Sequence, residues 1–226
     1  MRKYLRLLYR ILFFKVNYNT ILFNFKYFPF KIAMEFPVLV SKNVYLRELN
    51  GTVEIPSQFY FGMISIGEYC IGVFDEKYSR SIWQVSGKII FRGKAFLGHG
   101  TKLSVGKDGL IDFGKNFSIT AESCLLCSTM IKFGDDVLMS WDIQVMDTDL
   151  HSITDDKGCV INPAKEIKIG NHVWIGSRSL ILKGANIPDD SIIGAQSVVS
   201  KSLADKNTLY VGSPVRAVKR NINWIN

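Results

Sequence analysis

An all-β chain wound into a parallel β-helix follows from three features of the 226-residue sequence. Ile169, Ile175, Ile181, Ile187, Ile193 and Val199 stand six residues apart without a slip. The next position in each hexad holds Gly170, Gly176, Leu182, Pro188, Gly194 and Ser200. Two residues before each aliphatic stand Ile167, Val173, Ser179, Ala185, Ser191 and Ser197, which shrink toward small side chains. Helical periodicity is absent from about residue 44 onward, where short β-like runs alternate with glycines. A short fixed period of this kind marks a solenoid. One aliphatic per hexad points into the coil centre, a small or turn-forming residue makes the corner, and a second small residue fills the space beside it. Each buried Ile contributes roughly 1.5–3 kcal/mol, and stacking makes that burial continuous.

Along the chain, residues 1–43 form a basic, aromatic-rich segment. Within it, residues 1–16 read as a helix, with Arg2, Arg6 and Arg10 on one face and Tyr4, Leu5, Leu8, Ile11 and Leu12 on another. Such a helix either packs on the main domain or lies in the interface of an anionic membrane. Nine Lys/Arg against Glu35 and Glu48 give residues 1–50 a charge of +7, out of +8 for the whole chain. Pro29 and Pro37 break any long helix in the aromatic stretch over 17–40.

Residues 44–203 are expected to form the β-helix. Val53 and Ile55, Ile64 and Ile66, Ile89 and Phe91, and Leu103 and Val105 mark its first strands. A spacing of six runs through Phe113, Ile119, Leu125 and Ile131. It resumes, displaced by two, at Phe133, Met139 and Val145, as if coils carried small insertions. An irregular stretch at about 152–166 reads as a loop, and residues 204–226 as a C-terminal tail.

At 47% apolar and 21% charged the composition is globular. Arg6, Arg10 and Lys15 interrupt the first apolar run, and no small-residue cleavage site follows it, so an export signal is not expected. No run of ~20 uncharged residues is long enough to span a bilayer. Charge confined to one end points to an anionic surface met by that end, and nucleic acid is not an expected partner. Cys70, Cys124, Cys127 and Cys159 are too few for a disulfide framework. The C-x-x-C of Cys124 and Cys127 has no second pair and no nearby His, so it reads as buried thiols and no metal is expected. The compartment is read as reducing, hence cytoplasmic, with peripheral membrane contact through residues 1–16 as one reading.

The run IKIGNHVWIGSRSLILKGANIPDDSIIGAQSVVSKSL, followed by NTLYVGSPVRAVKR, resembles the hexapeptide-repeat acetyltransferases. Within them the chain is most similar to sugar O-acetyltransferases of the galactoside and maltose type and of surface-polysaccharide synthesis. The likeness is specific over about 131–220 and looser back to about 50. It implies a left-handed coil, where ordinary crossover chirality would favour the other hand. It also implies a homotrimer, and acetyl-CoA as the acyl donor.

Acyl transfer to a hydroxyl needs a base, donors for the oxyanion and an anchor for the donor substrate. Of the three histidines, His172 lies inside the strict repeat and reads as a coil-surface residue, and His99, in GHG, as a turn residue. His151 ends the run MDTDLH, where the hexad phase demands a buried aliphatic and the repeat breaks. It also matches the family's catalytic His, on the coil before a protruding loop; the alternative is a hydrogen-bonded structural His. Asp147 and Asp149 precede it at two-residue steps, so in an extended strand all three share a face. One would orient the imidazole and the other bind a sugar hydroxyl, or both are solvated loop acids. Galactoside-type enzymes lack this D-x-D-x-H spacing.

The resemblance further implies that the Ser177 backbone N–H faces the thioester carbonyl, that pantetheine runs past Ala195, and that the Ser200-Lys201 turn meets the cofactor. Arg216 and Lys219 match basic positions near the adenosine phosphates; without the family, these two and Lys201 read as solvated charges. Trp174 matches an aromatic beside the acetyl site, or packs between subunits.

The expected function is an acetyl-CoA-dependent O-acetyltransferase acting on a sugar hydroxyl in surface-polysaccharide biosynthesis (capsule, O-antigen or exopolysaccharide). The alternatives are an N-acetyltransferase of an amino sugar or antibiotic, and a non-catalytic β-helix used for assembly. A γ-class carbonic anhydrase is set aside because no two histidines are closely spaced, and a serine acetyltransferase because its N-terminal helical domain is far larger than residues 1–40. Tyr60, Tyr69, Trp83 and Glu122 are polar-aromatic candidates for acceptor contacts.

Overall fold

The computed structural model describes residues 16–68, 71–75 and 77–225. The helix read over 1–16 lies, but for Val16, outside them, as do Tyr69 and Cys70. Helix α1 (Tyr18–Tyr27) and the short α2 (Phe30–Ala33), separated by Pro29, precede the strands.

The coils follow in order. β1 (Val38–Val40), β2 (Val44–Leu49) and β3 (Thr52–Glu54) make the first, so the β-helix begins at Val38 and not at residue 44. β4 (Ile64–Glu68), β5 (Ser81–Val85) and β6 (Lys88–Phe91) make the second; β7 (Ala95–Gly98), β8 (Lys102–Val105) and β9 (Leu110–Phe113) the third. β10 (Phe117–Ala121), β11 (Cys124–Cys127) and β12 (Met130–Phe133) form the fourth; β13 (Leu138–Trp141), β14 (Gln144–Met146) and β15 (Ile167–Ile169) the fifth. β16 (Trp174–Ile175), β17 (Leu180–Leu182) and β18 (Asn186–Ile187) complete the sixth, and β19 (Ile192–Ile193) and β20 (Val198–Val199) open a seventh.

Each coil gives one strand to each of three parallel sheets, the stack of a left-handed parallel β-helix. The first sheet, from β1 to β19, continues into the tail as β21 (Thr208–Gly212), parallel, and β22 (Val215–Arg220), antiparallel. β2 to β20 form the second sheet and β3 to β18 the third.

The hexad aliphatics lie in the interior: Ile175, Ile181, Ile193 and Val199 show no exposed surface. Ile119 pairs with Met139, Met139 with Ile175, and Ile175 with Ile193, so one inward position recurs coil after coil. The displacement by two has a simple cause. The corner after β11 holds two extra residues, so Ile131 and Phe133 of β12 both point inward, and Phe133 pairs with Ile169.

Corners need a left-handed residue, which, glycine aside, Asn and Asp tolerate best. Between the third and first sheets Asn116, Asp136, His172 and Asp190 hold it, at φ 55°, 59°, 53° and 57°. Their side chains form a ladder: Asn116 donates to Asp136 at 3.0 Å, and His172 Nδ1 meets Asp190 at 3.0 Å.

The first strand of a stack has an unpaired edge, which must be covered. Here α1 covers it with side chains that stand in for a strand. Asn24 donates to the Val38 carbonyl at 2.7 Å and accepts from its N–H at 3.3 Å, and Thr20 Oγ1 does the same for Val40 at 3.0 and 2.9 Å. Phe23 seats beneath them against Trp83, whose indole N–H donates to Tyr27 at 3.0 Å. Trp83 is thus fully buried core and no acceptor contact.

His99 stands in a turn, as expected, with its ring 1% exposed beside Gly100 and Glu122. The reading of both C-x-x-C thiols as buried needs correction. Of the cysteines, Cys127 is buried, Cys124 half-buried on the outer side of β11, and Cys159 exposed.

Candidate functional site

The longest break in the described repeat lies between Met146 of β14 and Ile167 of β15, at the corner of the second and third sheets. Asp147 fixes its root. The carboxylate is fully buried and accepts from Ser128 N (2.7 Å), Thr129 N (2.7 Å) and Thr129 Oγ1 (2.9 Å), while the Asp147 carbonyl accepts from Lys165 N (3.0 Å). Cys127 Sγ lies 3.4 Å from the same carboxylate; burial first, and that charge second, push its thiol up to about 12. Asp147 therefore does not share a face with His151. The chain bends at Asp147 and Leu150 takes φ 61°, so the two-residue alternation of an extended strand does not reach His151.

Asp149 and His151 lie on the exposed loop, held by residues that the sequence did not single out. Asn162 Nδ2 donates to the Asp149 carboxylate at 2.7 Å and to the His151 carbonyl at 2.9 Å, and Asn162 Oδ1 accepts from Ile153 N at 2.6 Å. Lys183, just past β17, reaches Asp149 at 2.5 Å and the Asn162 carbonyl at 2.9 Å. The ammonium of Lys183, then the amide of Asn162, holds the Asp149 carboxyl below the usual carboxylate range. The loop is thus clamped shut with the His151 ring left exposed. The only sequence signal was an Asn before Pro163 in an otherwise patternless stretch.

Ser200 and Lys201, past β20, occupy this same corner one coil beyond Lys183. Ser177 and Ala195 do not. They stand at the corner between the first and second sheets, where Gln196 N donates to the Ser177 carbonyl at 2.9 Å. A Cβ on Gly176 would come within 2.6 Å of Ala195 N, so the coils close there only with glycine. The strands of the second sheet separate the two corners, at ~3.3 Å per residue a gap of roughly 10–15 Å.

Gly212 N donates to Ser197 Oγ at 3.1 Å, which brings the end of β21 to the Ser177 corner. Arg216 pairs with Val211 near that end, and Lys219 with Leu209 farther along. Lys201, Arg216 and Lys219 are all exposed. Trp174 lies on the outer side of the first sheet, its indole N–H donating to Ser140 Oγ at 3.2 Å. Trp224 of the tail stacks on His172 at 4.5 Å and sits 6.2 Å from Trp174.

The outer sides of the three sheets differ. The first carries Leu138, Trp174, Ile192 and Leu209 in one row, and the second Leu126, Met146 and Leu182. The third presents Asp112, Lys132, Lys168 and Asn186. The rows named on the first and second sheets are apolar, and the row named on the third is polar.

No protein-family model matches the chain. It is 33% identical over 116 residues to the galactoside O-acetyltransferase of Escherichia coli K12, covering 50% of this chain and 55% of that one. Over 95 residues it is 39% identical to the polysialic acid O-acetyltransferase of Neisseria meningitidis, covering 42% and 44%. The chain spans about half the length of the curated relatives it matches first. Among solved structures, the polysialic acid O-acetyltransferase OatWY superposes with a TM-score of 0.50 at 23% identity, over 84% of this chain and 90% of that one, which bears on the fold.

Proposed function

We propose that the protein is an acyltransferase that moves an acetyl group from acetyl-CoA to a sugar hydroxyl, with His151 as general base. The observation that carries this reading is the clamped loop. At the longest break in the described repeat, the His151 backbone is pinned by Asn162 while its ring faces solvent. Relatives named as galactoside and polysialic acid O-acetyltransferases support a glycan acceptor.

In the proposed reaction the His151 imidazole takes the proton of the acceptor hydroxyl as that oxygen attacks the thioester carbonyl. A C–O bond forms and the oxyanion is met by the backbone N–H of Ser177. The C–S bond then breaks, and the imidazolium returns its proton to the departing thiolate, leaving an acetyl ester and free CoA. No acyl-enzyme is required. Lys201, Arg216 and Lys219 supply positive charge for the phosphates of the donor.

The base and the thioester-binding corner lie on opposite edges of the second sheet, so one chain holds two half-sites. The apolar rows on the first and second sheets support side-by-side association in a homotrimer, in which the His151 corner of one copy meets the Ser177 corner of the next. The pathway proposed for this activity is surface-polysaccharide biosynthesis.

The test is release of free thiol from acetyl-CoA in the presence of galactosides and sialic acid polymers. Acceptor-dependent release that His151→Ala abolishes is expected. No release with any acceptor, or full activity in His151→Ala, would overturn the reading.

A further inference from the structure

We infer that the helical cap over the first coil is a docking surface for an anionic lipid bilayer. α1 has two sides of opposite character. Thr20, Phe23 and Asn24 face the β-helix and are buried, while Tyr18 (74% exposed), Ile21 (37%) and Phe25 (41%) face away. Phe30, 63% exposed at the start of α2, packs its ring edge-on to Phe25 at 5.8 Å, so the four side chains form one continuous apolar surface. Nothing among the described residues covers it. Lys26 and Lys31 are exposed beside it.

Charge selects the occupant. Residues 1–34 contain seven Lys/Arg (Arg2, Lys3, Arg6, Arg10, Lys15, Lys26 and Lys31) and no acid before Glu35. A second copy would bring Lys26 and Lys31 against their own counterparts, and like charges in register oppose association. An aromatic surface flanked by Lys26 and Lys31 matches the boundary of a bilayer, where rings sit at headgroup depth and cations meet anionic lipid. Among the described residues no helix is long and apolar enough to cross a membrane, so the surface would lie on the bilayer.

The location fits such contact. The cap closes the end of the stack, whereas the apolar rows proposed for association lie along its sides. In the proposed trimer, parallel copies would set three caps in one plane, and their combined avidity would exceed that of one. The loop of His151 leaves the fifth coil, four coils from β1, or about 20 Å at ~4.8 Å per strand spacing.

The test uses the full chain and sedimentation with vesicles of phosphatidylcholine alone or of phosphatidylcholine with one-third phosphatidylglycerol. Binding to the anionic vesicles alone, weakening as salt rises, is expected. Phe25→Ser with Phe30→Ser, and separately Lys26→Glu with Lys31→Glu, should each reduce it at least about tenfold, the scale of losing buried rings or paired charges. Thermal midpoints of both double variants, and thiol release in the absence of vesicles, should stay unchanged, so this proposal fails independently of the proposed activity. Equal binding to both vesicles, no binding to either, or wild-type binding by both variants would overturn it. So would sedimentation velocity showing that Phe25→Ser with Phe30→Ser dissociates an oligomer, which would assign the surface to a second copy.

Discussion

Asn162 ties the His151 carbonyl to the Asp149 carboxylate, donating to them at 2.9 and 2.7 Å through one amide nitrogen. The histidine is therefore positioned through its backbone, by a residue eleven positions later. Asn162→Ala should lower kcat by about 10- to 100-fold, because small displacements of a catalytic group are costly. KM for acetyl-CoA should hold, since Ser177 and Ala195 lie at another corner. The loop is exposed, so the melting temperature should change little. A proportionate rise in KM, or no change in kcat, would remove Asn162 from the positioning role. Asp149 is held below the usual carboxylate range, so the clamp is intact above about pH 3.9 and is lost only as the pH falls through the lower native value. Rate changes between pH 5 and 8 should then be the same in Lys183→Met as in wild type, at a lower absolute rate.

Asp147 should behave as a structural residue. Its carboxylate satisfies two backbone N–H groups and one hydroxyl inside the corner. Asp147→Ala takes the acceptor from all three, but Ser128 is half-buried and Thr129 exposed, so water replaces part of it and the cost is on the order of 1–3 kcal/mol. A urea titration should show the lowered midpoint. Activity per folded molecule should fall less than in Asn162→Ala. A full loss of activity at unchanged stability would restore Asp147 to the catalytic group.

How far the sequence could be read depends on the length scale of each signal. Ile169 to Val199 announce themselves because burial repeats every coil, and the break at His151 is visible only against that repeat. Asn162 was invisible, since its three partners are set by loop closure and not by spacing. Ser177 and Lys183 are six residues apart in sequence, yet the strand between them places them on opposite edges of a sheet. The same limit hid the buried carboxylate of Asp147, because one bend cancels an alternation that counting assumes. Nothing in the spacing of Thr20 and Asn24 marks them out; only the edge of β1 explains them.

That pairing yields a sharp stability test. Asn24→Leu keeps approximate shape but leaves the Val38 N–H and C=O without partners. The loss should be about 2–4 kcal/mol, from two unsatisfied backbone groups in a buried place. Asn19 Nδ2 donates to the Ser41 and Val44 carbonyls at 3.1 and 2.8 Å in a half-buried place, so Asn19→Leu should cost less. Equal effects in the two variants would mean that α1 is held by its apolar side alone.

Burial of Cys127, with Asp147 beside it, pushes its thiol up to about 12. At pH 8.5 iodoacetamide should label the exposed Cys159 and leave Cys127 unmodified until urea is added, as peptide mass mapping can show. A raised native value means stability is flat below the unfolded thiol value of about 8.5. It then declines by up to ~1.4 kcal/mol per pH unit as pH rises toward 12. Cys127→Ala should remove that part of the alkaline decline.

The division of the proposed site between two corners makes the strongest demand on the molecule. His151→Ala destroys the base and leaves the Ser177 corner intact. Ala195→Trp fills the donor corner, where the native side chain is exposed and small, and leaves the base intact. Each variant alone should be inactive. If the site forms between copies, unfolding an equal mixture and refolding it together allows an Ala195→Trp chain to present His151 to the open corner of a His151→Ala neighbour. Random assembly into closed rings would restore about a quarter of the sites, since each needs one intact half from each partner. Dilution should not abolish the recovered activity once rings have formed, and Leu182→Asp in the apolar row of the second sheet should prevent recovery. Were both halves used within one chain, no mixture of the two variants would regain thiol release, whatever its oligomeric state.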